Sequence, residues 1–303
     1  MLEDQHNVKA WFYLAPALAL LGIFIFYPIV NALFLTFVQD YNYLLGTFDG
    51  FTFLGNFKNA MQDANFSQAF LNTLFITFVS VPISVIVALL ISAWLNGIKK
   101  FQGMFQTIFF LPYVTNAIAV GMAFAFLFNR DFGLVNLFLG FFGVNPINWV
   151  NTGANWGHAM FSLVIYITWL GLAFKIMVFL SGLQGIDKQY YEAARVDSAS
   201  RSRIFRRITV PLLSPMIMYI TVTSFIGAFK AYTQVIGMFG QRLGPPGNDK
   251  SLITVVALVY EGIDNAATVG ALSEAAATSI ILFGVTLVFT LINFQVSKTR
   301  VHY

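Results

Sequence analysis

The chain has 303 residues, of which 58% are hydrophobic and only 10% charged, and its mean hydropathy is +0.74. A soluble domain is nearer about 45–50% apolar, so this balance excludes an ordinary soluble fold. The net charge of +4 comes from basic residues at membrane edges and is no nucleic-acid footprint, and without cysteine there is no disulfide framework.

Uncharged runs of about 18 or more residues are candidates for crossing a hydrocarbon core of about 30 Å. Asp40 is the first charge after Lys9, which predicts a first span over about residues 11–37. That run is about twice a secretory h-region and has no clear small-residue cleavage site, so it reads as a retained span. No charge falls between Asp63 and Lys99, nor between Lys100 and Arg130. These runs predict spans over about residues 68–95 and 104–128. A fourth is expected over 158–180, a fifth over 211–238, and a sixth over 275–295, inside the uncharged run from Glu274 to Lys298. Pro16, Pro28, Pro82, Pro112 and Pro215 lie in or near these spans, where neighbours can satisfy the freed carbonyls. The fold class is an all-α membrane protein of six transmembrane helices in a single domain, 1–303.

The connections differ in character. Residues 38–67 and 129–157 carry Gly, Asn, Asp and many aromatics, and Trp149 and Trp156 suit a membrane–water interface. Residues 239–274 contain GQRLGPPGNDKS, a strong turn signal, followed by an apolar stretch at 252–260 that is too short to span and reads as re-entrant or interfacial. No internal repeat is visible, which argues against an inverted-repeat transporter.

An even number of spans puts both termini on one side. Lys9, Lys99, Lys100, Lys298, Arg300 and the six basic residues of 181–211 share that face. Lys58, Arg130, Arg242 and Lys250 lie on the other, and Lys175 and Lys230 fall inside spans. The basic-rich face is expected to be cytoplasmic. The segment 181–211, SGLQGIDKQYYEAARVDSASRSRIFRRITVP, therefore faces the cytosol. Its pattern predicts two short helices with a bend near Ser198, the first capped by Asp187 and containing Glu192. Arg203, Arg206 and Arg207 share one face, with Ile204 and Ile208 on another. On composition alone this charge is either a topology signal or a docking surface.

The wording YEAARVDSASRSRIFRRITVPLLSP resembles the EAA loop of membrane subunits of binding-protein-dependent ABC importers. Glu192, Ala193, Ala194, Asp197, Ala199, Ile208 and Pro211 match that pattern. Ser198 stands where the family usually has Gly, and Val210 where it usually has Leu. NTLFITFVSVPISVIVALLISAWLN in the second span, with GLQGI and YYEAA, is similar to the carbohydrate-uptake branch. The resemblance implies a type I importer permease in a bacterial plasma membrane. Glu192, Ala193, Ala194, Asp197, Ser198 and Ala199 would form a coupling helix within a cytoplasmic loop at 182–210, docked on a separate ATPase. It implies as partners a second permease subunit in a heterodimer, two ATPase subunits, an extracytoplasmic solute-binding protein and membrane lipid, with no nucleic acid. ATP and magnesium would be bound by the ATPase, and this chain would need no cofactor or metal and have no catalytic residues. LSGLQ at 180–184 differs by one residue from the LSGGQ of ABC ATPase domains. The chain has no G-x-x-x-x-G-K-[ST] phosphate loop, so Ser181 and Gly182 read as small residues at a helix exit.

Ser224, Gly227, Ala228 and Ala231 fall at i, i+3, i+4 and i+7 and form a small-residue stripe. It reads either as close helix packing or as a groove wall. By position in related sugar permeases, Leu170, Gly171 and Phe174 on the fourth span would join it on the solute path. These side chains are smaller or less polar than a hydroxyl-binding site asks for. Lys175 reads as snorkelling or cavity-facing, while Lys230, with Tyr232 and Gln234, is expected to face a cavity. The solute would be a sugar or oligosaccharide, with an anionic or phosphorylated small molecule as the alternative. A secondary transporter needs intramembrane carboxylates, and every Asp and Glu lies outside the spans or at their edges. An intramembrane enzyme needs a nucleophile and base in reach, and scattered Ser with Lys175 or Lys230 forms no such constellation.

Overall fold

The computed structural model describes residues 4–98 and 102–298. Lys99, Lys100 and Arg300, counted above on the basic face, lie outside them. α1 (Asp4–Leu21) runs through a π-helical segment (Gly22–Phe26) into α2 (Tyr27–Thr36). The wide turn sits directly before Pro28, which has no N–H to offer an ordinary helical ladder. A two-stranded antiparallel ribbon follows, β1 (Val38–Gln39) and β2 (Gly50–Phe51), then α3 (Gly55–Gln62) and the long α4 (Phe66–Gly97). Next come α5 (Gln102–Val114), α6 (Ala117–Leu127), α7 (Leu134–Gly140) and α8 (Trp156–Gln184). The charged loop holds α9 (Lys188–Val196), α10 (Arg201–Ile204), a second π segment (Phe205–Thr209) and α11 (Val210–Leu212). α12 (Ser214–Phe229), α13 (Thr233–Phe239), α14 (Val255–Asp264) and α15 (Ala271–Lys298) complete the chain.

Among the described residues four helical stretches are long and apolar enough to cross a bilayer: Lys9–Thr36, Phe66–Gly97, Trp156–Gln184 and Ala271–Gln295. Two bent pairs raise the number to six if each is one span. Gln102–Val114 and Ala117–Leu127 meet at 102°, and Arg201–Leu212 and Ser214–Phe229 at 68°. The straight helix expected over 104–128 is thus broken at Thr115 and Asn116. The helix expected over 211–238 ends at Phe229 and restarts at Thr233.

Residues up to Phe66 with Leu258–Phe283 form one compact unit. Within it, no residue over 9–35 is buried, and most are exposed. The ribbon is held by Asn56, whose Nδ2 donates to the Thr36 and Val38 carbonyls at 3.0 and 2.8 Å. Phe34 packs edge-on against Phe51, and Phe37 stacks on Phe53. Gly262 of α14 lies so close to α15 that a Cβ there would meet the Ala275 Cβ at 2.6 Å.

Ser67–Ala257 with the residues from Gly284 on form the other unit. Its core joins Val81, Val85, Ala88 and Leu95 of α4 to Ile176, Phe179 and Leu180 of α8 and Ile220 of α12. The Ser92 hydroxyl bridges α4 to α8, 2.6 Å from the Ala88 carbonyl and 3.1 Å from that of Ile176. Asn72 is a buried clamp. Its Nδ2 donates to the Ser251 and Ile253 carbonyls at 3.0 and 2.8 Å, and its Oδ1 accepts from Trp156 Nε1 at 2.9 Å. Trp149 is buried within the chain: its indole N–H donates to Asn136 Oδ1 at 3.0 Å and its ring stacks on Phe161.

α6 and α13 meet backbone to backbone at Gly121 and Gly237. A Cβ on Gly121 would lie 2.6 Å from the Gly237 carbonyl carbon and 2.8 Å from its Cα. Gly121→Val should therefore force the two helices apart at a cost of about 2 kcal/mol or more, read as a lowered thermal midpoint of the purified protein. Gly227→Ala on α12, where an added Cβ meets nothing within 4 Å, should leave that midpoint unchanged or slightly raised.

Candidate functional site

Two places gather the residues singled out in the sequence. The first is the charged loop. The Asp187 side chain accepts from Gln189 N–H at 2.9 Å and caps α9, which satisfies one of the free donors at a helix start. α9 turns Ala194 inward and leaves Glu192 and Ala193 exposed, while Val196 presents an apolar side chain that is 84% exposed. Nothing among the described residues covers that outer face.

α9 ends in a Schellman motif. Ala199 N–H donates to the Ala194 carbonyl at 2.9 Å and Ser198 N–H to the Arg195 carbonyl at 3.0 Å. Ser198 occupies the left-handed position with φ +53°. A residue with a Cβ pays for that conformation and glycine does not, so the bend keeps the geometry a glycine would serve, at some cost. Asp197, between α9 and the bend, is exposed. Ser200 then caps α10, and Arg203, Arg206 and Arg207 point outward while Ile204 and Ile208 are half-buried.

The loop is tied to the helices on either side of it. Tyr191 Oη and Thr209 Oγ1 are 3.3 Å apart. Gly182, in the LSGLQ stretch, is where α8 meets α12: a Cβ there would lie 2.9 Å from Leu213 Cδ2 and 3.1 Å from Met216 Cγ.

The second place is a cavity of about 370 Å³ in the same compact unit. α8 contributes Leu170, Gly171, Phe174 and Lys175; α12 contributes Thr223, Ser224, Gly227 and Ala228; Ala231 comes from the break that follows. Seven of the nine residues expected on a solute path thus share one wall system. At Gly227 no atom of this chain packs where a Cβ would stand. The stripe is open there, whereas Ala228 also leans on the core.

Lys230 and Tyr232 are not in the lining. α12 stops at Phe229, so both fall in the helix break and leave the register of the stripe; Lys230 is exposed and Tyr232 half-buried. Lys175 does not snorkel. It is only 8% exposed, and its Nζ donates to the Gly171 carbonyl at 3.0 Å, one turn back toward the start of α8. The sequence reading missed Ser80 and Ser84 of α4 and Tyr113 of α5, which complete the wall. Tyr113 stacks on Phe174, with ring centroids 5.8 Å apart and planes at 21°. No short-range signal marks a pair so far apart in sequence.

Ser198→Gly should stabilise the bend by up to about 1 kcal/mol, the left-handed penalty less the entropy that glycine adds to the unfolded chain. The check is slower amide exchange at residues 198 and 199, with Ser198→Val moving it the other way.

Residues 52–301 match the family described as binding-protein-dependent transport system inner membrane component. The lactose transport system permease protein LacF of Rhizobium radiobacter is 32% identical over 303 residues, covering 99% of this chain and 97% of that protein. The arabinooligosaccharides transport system permease protein AraP of Bacillus subtilis is 30% identical over 95% of this chain and 88% of its own length. The sn-glycerol-3-phosphate transport system permease protein UgpA of Yersinia pestis is also 30% identical, over 95% of this chain and 93% of its own. A bacterial ABC transporter involved in the import of the acidic polysaccharide alginate, solved by crystallography, superposes with a TM-score of 0.77 at 21% identity, covering 97% of this chain and 96% of that one; the likeness establishes the fold. The chain is a multi-pass membrane protein and belongs to the family of inner membrane components of binding-protein-dependent transport systems.

Proposed function

We propose that this chain is one half of the translocation pathway of an ATP-driven importer for a sugar or oligosaccharide, coupled through residues 192–199 to a cytosolic ATPase. The observation that carries the coupling is the exposed face of α9. A short helix capped at both ends, with Glu192, Ala193 and Val196 turned outward and Ala194 tucked beneath, is built to be held by another protein. Small side chains allow close approach, and a carboxylate adds charge-assisted hydrogen bonds. The solute class is supported by the lactose and arabinooligosaccharide systems of the two relatives. Aromatic rings and hydroxyls in the cavity suit a sugar, which offers an apolar ring face and a polar rim. The sn-glycerol-3-phosphate system of a third relative supports a second solute class, phosphorylated or otherwise anionic.

The assembly on this reading comprises a second permease subunit, as a heterodimer, two ATPases that bind ATP and magnesium, and an extracytoplasmic binding protein. A periplasmic protein bound to alginate pentasaccharide accompanies the alginate importer in a second crystal structure. Both termini and α9 face the cytosol of a bacterial plasma membrane, in keeping with the basic residues of that face. Movement of α9 passes to α8 and α12 through the Gly182 contact and the Tyr191–Thr209 pair. Gly182 stands only about 10 Å along α8 from Lys175, at 1.5 Å per residue. ATPase closure thus shifts two cavity walls together, and the cavity changes the side to which it opens.

The chain has no cysteine, so a single Val196→Cys can be followed alone. It should react with a membrane-impermeant maleimide from the cytosolic side only, and be shielded once the ATPase is bound. Glu192→Lys should lower solute-dependent ATP hydrolysis by the purified complex at least tenfold while the chain still inserts. Intact uptake in Glu192→Lys, or purification without any ATPase, would sink the reading.

A further inference from the structure

Lys175 is the one charged residue in the lining of the cavity, and no carboxylate accompanies it there. An ammonium has three N–H donors. Among the described residues the hydrogen bond seen for this one goes to the Gly171 carbonyl. Buried charges in a membrane protein are costly and are held by a partner of opposite sign or by a water-filled path.

The direction of the side chain is informative. Helical side chains lean toward the start of their helix, and Lys175 follows that lean instead of stretching toward the loop at 185. It therefore carries its ammonium further into the span. Gly171 makes this possible, since a Cβ there would lie 2.8 Å from Nζ. The missing side chain at 171 and the lysine one turn later work as a pair that brings a cation to the cavity wall. Ser84, Thr223 and Gln234 line the same cavity with hydroxyl and amide groups, and the stacked Tyr113 and Phe174 form an apolar wall. A volume of about 370 Å³ lies within the usual range of roughly 300–1,000 Å³ for small-ligand sites.

We propose that Lys175 selects for an anionic group on the solute, so that the cavity takes an acidic saccharide, held by its carboxylate, in preference to its neutral counterpart. The proposal rests on the importer reading above and narrows its solute class. The ammonium supplies charge-assisted hydrogen bonds to the carboxylate, and the Ser84 and Thr223 oxygens, whose protons go to the Val81 and Tyr219 carbonyls, are left to accept from solute hydroxyls.

The test uses the whole complex in lipid nanodiscs, with a digalacturonate and the matching digalactose as probes. The digalacturonate should bind at least tenfold more tightly. Lys175→Gln should bind both disaccharides alike, and Lys175→Arg should keep the preference. Equal binding by the parent complex, binding of neither disaccharide, or a preference that survives Lys175→Gln overturns the proposal. So does a Lys175→Gln chain that inserts but no longer pairs with its partner permease, which would make the lysine an ion-pair partner at that interface. Copurification of the ATPase is scored in the same preparation. If it is missing the importer reading fails, while the preference between the two disaccharides is still read on the permease itself.

Discussion

Inside a bilayer no water is at hand to take up a backbone carbonyl, so every interruption of a helix has to be paired by the protein itself. This chain interrupts two apolar helical runs, at residues 115–116 and 230–232, and polar side chains pair freed backbone groups there. The Asn116 side chain accepts from the Ile118 and Ala119 amides and restarts α6. The Tyr166 hydroxyl reaches the Ala117 carbonyl. Thr254 Oγ1 donates to the Ala231 carbonyl at 2.7 Å. With the breaks satisfied in this way, α6 and α13 close on one another at Gly121 and Gly237. The break after Phe229 brings Ala231 and Gln234 to the cavity wall. These pairings satisfy backbone groups that a break would otherwise leave open, and the second break sets two residues of the cavity wall.

The glycines show how one residue type serves different ends. Gly121 and Gly182 are contact points, where an added Cβ would strike a neighbouring helix. Gly171 makes room for an ammonium from its own helix. Gly227 faces open space. A stripe of small residues read from sequence cannot separate these cases, because the discriminating fact is what stands opposite. The same contacts tie the loop to two helices. Gly182 locks α8 to α12 at the end of the molecule where α9 begins, and the same two helices carry Gly171 and Gly227 further along. A close contact near the loop and an open face further on thus lie on the same pair of helices.

Much of the fold was legible because it follows from composition. Long uncharged runs marked the spans, and Asp187, the EAA wording and the serine at 198 outlined the loop with its bend. The helix breaks were less visible, since apolar residues continue through them and propensity carries little weight in a membrane. Asn116 before an apolar run was a usable capping signal, with Pro112 just ahead of it. Residue type suggests an interface for Trp149 but does not reveal its partner Asn136, whose side chain also gathers the Ile147 backbone. The Asn72 clamp closes on residues near 251, and no local pattern announces a contact over that separation.

Lys175 and Lys230 bring these threads together. Both are single lysines in apolar sequence, and hydropathy treats them alike. Their fates diverge because of where the helices end. Lys230 is the residue at which α12 stops: its N–H bonds the Gly227 carbonyl, and its side chain leaves the helix and is exposed. Lys175 lies well inside a continuous α8, where the lean of helical side chains and the gap at Gly171 direct it inward. An intramembrane charge is therefore interpretable only once the helix that carries it has been bounded. In this chain that boundary is set by backbone pairing at the breaks, not by the charges themselves.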